Sequence, residues 1–258
     1  MRNQCILLFG LLAGLGCTPS QQDDPGAVGG GPVDKDKVHF DLARIYLPHG
    51  AGRENPAHLL APIIVHESPG TAAWLSPAGG RPRVLLVRSE IKIKELDYAQ
   101  FIYSWEHSGN SPGAPASPSK RILRMTLDSR GHPTIYELFS EEGHLETLHV
   151  SLSLEQAAAR EHGPALAGRR FSIEATGGPG LSGIVKEGPV AMGPLVYFDS
   201  PGRKNVALTC RCSPSRITRA DGNHRYELVE TDPDLQAIAN RLPTSLQTLE
   251  NLRLPREF

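Results

Sequence analysis

The sequence predicts an α+β fold rich in strands, with a mainly antiparallel sheet and two or three short helices. Three observations lead there. Apolar and polar residues alternate through Arg121–Asp128 and again toward Leu152, with tight turns between; short apolar runs recur from Leu42 to Val229; and helix start and stop signals flank 154–162 and 233–242, with room for a last short helix after Pro243.

The clearest stretch is the meander from Lys120 to His162. Alternation places Leu123, Met125 and Leu127 on one face of a half-buried strand and Arg124, Thr126 and Asp128 on the other. Asp128-Ser129-Arg130-Gly131 turns the chain with Gly131 at the position that needs positive φ, and Pro133 can enter the next strand, Thr134–Phe139, only at its start or on an edge. After Glu141-Glu142-Gly143-His144, a third strand carries Leu148, Val150 and Leu152. Neighbours joined this tightly are antiparallel. Ser153 then caps a helix with Gln156 reaching back, Arg160 and His162 suit its negative end, and Gly163-Pro164 stops it. About nine residues cannot form a stable helix alone in water, so the Leu154, Ala157 and Ala158 stripe must pack on the sheet.

Before the meander, strands are expected over Leu42–Leu47 and Pro62–His66 and, as a run covered on both sides, over Val84–Val87; Glu90–Leu96 suits strand slightly better than helix. Ala99–Trp105 puts Phe101, Tyr103 and Trp105 on one face, an aromatic payload for the meander's core. Ser108–Ser119, with three prolines and two glycines, reads as a surface loop within an extended hairpin. After the helix, strands are expected over Arg169–Ala175, Leu195–Phe198, Val206–Cys212 and His224–Val229. Ile217–Arg219 would pair with the last through Asp221-Gly222, and Asp232-Pro233 would start the helix over 233–242 on a Leu235, Ile238 and Leu242 stripe.

The N-terminus sets the compartment. Arg2 precedes an apolar run, Cys5–Gly16, too short to span a bilayer comfortably but suited to export. Leu12-Ala13-Gly14-Leu15-Gly16-Cys17 resembles the lipobox of bacterial lipoproteins, with Gly14 where that family prefers Leu and Leu15 where a small residue is usual. The resemblance covers residues 1–17 only and implies a signal peptide over 1–16 and lipidation of Cys17. It further implies outer-membrane sorting in a Gram-negative envelope, since Thr18 is not Asp. An ordinary secretory signal or a retained leader would also export the chain. Residues 17–37, rich in Gly, Pro, Gln and Asp, read as a tether, and 38–258 as one globular domain.

Formal charge is -1, from 27 basic and 28 acidic residues without blocks, so nothing marks a nucleic-acid partner. Gly178-Pro179-Gly180-Leu181-Ser182-Gly183 has dinucleotide-fingerprint spacing, but prolines and glycines through 186–194 deny it the helix that mechanism needs. Ser182 also lacks the frame of a nucleophile elbow. With Cys17 lipidated and the leader removed, Cys210 and Cys212 are the two remaining thiols. On a regular strand their Cβ atoms lie about 7 Å apart, which leaves three readings: core side chains, a strained disulfide, or a soft-metal or thiol-redox site completed by a ligand such as His224. Trp105-Glu106-His107 offers an acid and a base that could cooperate only if the chain turns there. His66, His144 and His149 match no zinc spacing and read as solvated or singly bonded.

The expected function is that of an exported, membrane-anchored lipoprotein of the cell envelope with a binding or structural domain, its partners being the membrane and an unidentified protein or small molecule. The alternative is an exported thiol-redox or metal-binding protein, or an enzyme, built on Cys210 and Cys212. No cofactor or catalytic residue is assigned.

Overall fold

Strands recur along the chain because short apolar runs recur, and in the computed structural model they join one sheet. The structure describes residues 44–50, 55–66, 82–93, 95–109, 117–188, 190–198, 206–209, 224–230, 237, 239, 242, 249–256 and 258. Its elements are β1 (Arg44–Pro48), α1 (Pro56–Leu59), β2 (Ile63–His66), β3 (Arg83–Ile93), β4 (Leu96–Gly109), β5 (Ser117–Leu127) and β6 (Pro133–Ser140). They continue with β7 (Leu145–Ser151), α2 (Leu152–His162), β8 (Gly183–Val185), β9 (Leu195–Phe198), β10 (Val206–Thr209) and β11 (His224–Glu230). The strand order is β10-β9-β2-β1-β11-β3-β4-β5-β6-β7-β8, and the sheet curls until its edge strands β8 and β10 approach each other.

The α+β, strand-rich class is as expected, but the sheet is mixed rather than mainly antiparallel. The tightly connected run β3 to β7 is antiparallel throughout, whereas β1–β11, β11–β3, β2–β9 and β7–β8 are parallel. Tight turns report only pairings between consecutive strands; parallel neighbours need long crossovers, such as α2 and its following loop between β7 and β8. β11 is the relay. Its Tyr226 carbonyl accepts from His49 on the β1 side, while the Glu227 amide of the same peptide unit donates to Pro82 on the β3 side. A trans peptide points these two groups to opposite edges.

The inner face of the curl holds the largest core. Phe101, Tyr103 and Trp105 from β4 meet Leu123, Met125 and Leu127 from β5, with Tyr46, Tyr136, Phe198 and Tyr226 around them. Val84 and Leu86 of β3 point inward, while Leu85 and Val87 join an outer cluster with Ile102, Ile122, Phe139, Ala239 and Leu242. The run is thus covered on both sides. Only Ala237, Ala239 and Leu242 of the helix expected over 233–242 are described; the two alanines are helical. α2 packs Leu154 and Ala158 on another outer cluster containing Ile135, Leu148 and Val150.

Four expectations are corrected. The outer face of β5 is buried too, with Arg124 3%, Thr126 0% and Asp128 7% exposed, because these polar groups find partners. α2 is capped by Ser151 rather than Ser153: Ser151 is extended and its Oγ accepts from Leu154 N at 3.1 Å. Arg169–Ala175 is not a strand, because two carboxylates take the amides a ladder would use. Glu174 accepts from Arg170, Phe171 and Leu181, and Glu155 from Ser172 and Ile173. The ladder also runs further into the Pro-rich segment than composition suggested, through Ser108↔Pro118 and Gly109↔Ser117. Ile217–Arg219 and its turn lie outside the described residues, and among those described no helix is long and apolar enough to cross a membrane.

Candidate ligand-binding cleft

α2 is fixed at both ends, which positions one of its faces. Next to the Ser151 cap, the Ser153 amide donates to Glu187 at 3.1 Å and the Ser153 hydroxyl bonds the same carboxylate. This anion lies at the positive end of the helix dipole. Burial alone would raise the Glu187 pKa, but hydrogen bonds from Ser153 and Ser151 outweigh it and hold the carboxyl below its usual range. At the other end the Gly163 amide donates to Ala159 O at 3.0 Å, while Arg253 donates to the carbonyls of His162 and Ser172.

The fixed face presents Ser153, Leu154, Ala157 and Arg160 toward the β5–β6 turn, and between them lies a cleft of about 250 Å³. Ser129, Arg130, Thr134 and Phe258 complete its wall with Asp128. Asp128 is consumed locally: Oδ1 accepts from the amides of Arg130 and His132, and Oδ2 from Arg130 Nε and Nη2. Phe258 is held by a 4.4 Å parallel stack on Tyr98 and by the Ser129 amide on its carbonyl. Two arginines therefore line the cleft. Arg130 spends one edge on Asp128 and leaves its side chain 69% exposed, and Arg160 makes no hydrogen bond or ion pair among the described residues.

The inner face of the sheet carries a second polar feature. One end of the curl is closed by α1, whose cap Asn55 accepts from Ala57 N at 3.0 Å and from Arg88, which also pairs with Glu230. Tyr103 donates to Ala57 O at 2.8 Å and Tyr226 to Pro62 O at 2.7 Å. Burial pushes the Tyr103 phenol far up, so it stays a donor. Toward the opposite end Arg121, beside Trp105 in the ladder, pairs with Glu146 at 3.2 Å. Trp105 Nε1, Thr147 Oγ1 and His149 Nδ1 are buried without hydrogen-bond partners. His149 stands opposite Tyr136 and Gly183, where a Cβ would meet its ring at 3.2 Å, and burial lowers its pKa to about 4. It is neither solvated nor singly bonded, as its spacing suggested.

Of the residues singled out from sequence, Cys17, Cys210 and Cys212 lie outside the described residues. His224 opens β11, exposed and stacked on Tyr46 at 5.1 Å; β10 and β11 are separated in the sheet by β9, β2 and β1. Among the described residues no group of three His, Cys, Asp or Glu side chains is placed to hold a metal ion. β4 continues past Trp105 without a turn; Glu106 is exposed and paired with Lys120 at 3.3 Å, and the His107 side chain lies outside the described residues. Gly183 enters β8 instead of a helix, and Ser182 Oγ accepts from Leu148 N, a structural use.

Sequence reading placed Arg160 at a helix end and Arg130 in a turn but could not bring them together. Only the docking of α2 across the meander does that. No known protein family, curated protein or solved structure matches the chain.

Proposed function

We propose that the chain is an exported, lipid-anchored protein of the cell envelope whose β-rich domain binds a small ligand. The lipobox-like end at Cys17 and the tether to residue 37 support the anchoring half. The observation that carries the binding half is the cleft between α2 and the β5–β6 turn. It is a concave site with mixed apolar and polar walls, set on elements fixed at both ends, and it presents an arginine with no partner among the described residues.

Each half has its own test. Cys17→Ser should lose the lipid mass and leave the membrane fraction, since stable anchoring needs two acyl signals; unchanged mass and fractionation would refute the anchor. A thermal-shift panel of anionic, cationic and neutral metabolites should give at least one ligand that raises Tm in wild type and loses its effect in Ala157→Leu, which fills the cleft. A panel with no such ligand would refute the binding role.

A further inference from the structure

We infer that β8 and the segment after it form an acid-released flap over the inner face of the curl, with His149 as the trigger. The flap runs through residues 181–188 and 190–193 and is pinned at both ends. At the first, the Leu181 amide donates to Glu174 Oε1 at 2.8 Å and its carbonyl accepts from Arg170. At the second, the Gly193 amide donates to Leu59 O at 3.1 Å, and the backbone lies so close to Leu60 that a Cβ there would collide with its carbonyl. Between the pins the flap lays Val185 and Ala191 on the inner core, and Val185 and Met192 share a pocket with Tyr136. The hold there is slight. Among the described residues β8 pairs with β7 alone, over three residues, helped by Ser182 on Leu148 and by Glu187 on Ser153.

His149 lies under that hold. It is 5% exposed, its Nδ1 is buried without a partner, and the bare Gly183 backbone covers the ring. Tyr136 faces it from β6, with its hydroxyl donating to Pro133 O; Thr147 and Ser151 flank it along β7, and Ser151 Oγ already accepts from the Leu154 amide. β8 brings Gly183 and Val185, and β10 brings Leu208 to the same core. The charged groups nearby are already paired: Arg121 with Glu146 beyond Thr147, and Glu187, past Val185, with Ser153. Among the described residues no carboxylate bonds the ring, so a second ring proton has no placed acceptor and little access to water while β8 is seated. Lifting Gly183 off the ring supplies the water at the cost of one short ladder. Acid therefore favours the opened flap, which uncovers Tyr136 and Val185. With the closed ring's pKa lowered by burial from 6.5 to about 4, the open form should gain about twentyfold on the closed one between pH 7 and pH 5.

The test is amide exchange of the full-length protein at pH 7, 6 and 5, corrected for the intrinsic effect of pH on exchange, with and without a low concentration of urea. Protection at Ile184 and Val185 should fall about twentyfold from pH 7 to pH 5 and should not respond to the urea, because lifting a short strand exposes little surface. Leu123, which exchanges through unfolding of the whole domain, should respond to it. In His149→Gln and His149→Phe, neither of which takes up the proton, the fall at Val185 should be less than about twofold. Glu187→Ala, which frees the flap from α2, should lower protection at Val185 already at pH 7. Equal urea dependence at Val185 and Leu123, a full pH response in either histidine variant, or unchanged Val185 protection in Glu187→Ala would overturn the inference.

Discussion

Arg124 and Glu137 face each other across β5 and β6 on the outer side of the sheet, joined by two hydrogen bonds of 2.7 Å with side chains 4% and 0% exposed. Ile102 and Leu148 flank them in the ladder, and the Arg124 guanidinium lies 4.8 Å from the Phe139 ring. Burying two charges is costly, and only this forked geometry with its close partners offsets the lost hydration. The pair allows a strand with polar residues on alternate positions to be covered on both faces.

Removing one partner should therefore cost more than removing both. Glu137→Gln leaves a guanidinium buried without its counter-charge and should destabilise the domain by about 3 to 5 kcal/mol in urea unfolding. Arg124→Met combined with Glu137→Leu should recover most of that loss. Equal destabilisation by the single and double variants would show that the site tolerates a lone charge.

The same pair shows how far sequence could see. Alternation identified the inward face of β5 through Leu123, Met125 and Leu127, because apolar side chains need only a core. It read Arg124 and Thr126 as solvent-facing, because nothing local reveals that Arg124 meets Glu137, thirteen residues on, or that Thr126 accepts from Gln100 at 2.9 Å. Tight turns made the antiparallel run β5 to β7 legible, while parallel neighbours such as β7 and β8 depend on long crossovers with no local signature. The expected strand at Arg169–Ala175 failed for a related reason: Phe171 and Ile173 alternate, yet Glu155 and Glu174 compete successfully for the backbone amides. The cleft was legible only as parts, a serine and an arginine on a helix and an arginine in a turn.

Gly131 is the turn residue that sequence placed correctly, with φ at 82° and its amide on Asp128 O at 2.9 Å. No neighbour would obstruct a Cβ there, so the cost of substitution is conformational. Gly131→Val should lower stability by about 1 to 3 kcal/mol, since a β-branched residue resists the left-handed region. Gly131→Asn, which tolerates that region, should cost less. Equal losses for the two variants in denaturant unfolding would contradict a conformational origin. The turn also carries Arg130, so Gly131→Val should loosen the cleft, and ligand affinity should fall with stability.

His149 should give the domain a pH-dependent stability above the range where its carboxylates titrate. Burial lowers its pKa from 6.5 to about 4, so the folded chain keeps the ring neutral where the unfolded chain takes up a proton. With more protons bound by the unfolded state, stability falls as pH drops below about 6.5 and keeps falling to about 4. The full effect is on the order of 3 kcal/mol. Glu174 and Glu187, whose folded pKa values are held low, contribute stability that is lost only as pH falls below the ordinary carboxylate value of 4.5. The interval from pH 6.5 to 5 therefore separates His149 from these carboxylates, and the His149→Gln comparison assigns the effect to it. Urea unfolding at pH 7, 6 and 5 should show a steady loss in wild type and a smaller one in His149→Gln, which cannot take up the proton. Parallel pH profiles for the two proteins would mean that His149 is solvated and titrates alike in both states. The loss should appear first around β8, which among the described residues pairs only with β7, at His149, Val150 and Ser151, and leads to Glu187 at the α2 cap. Amide exchange at Val185 should then accelerate below pH 6 before exchange at Leu123 does.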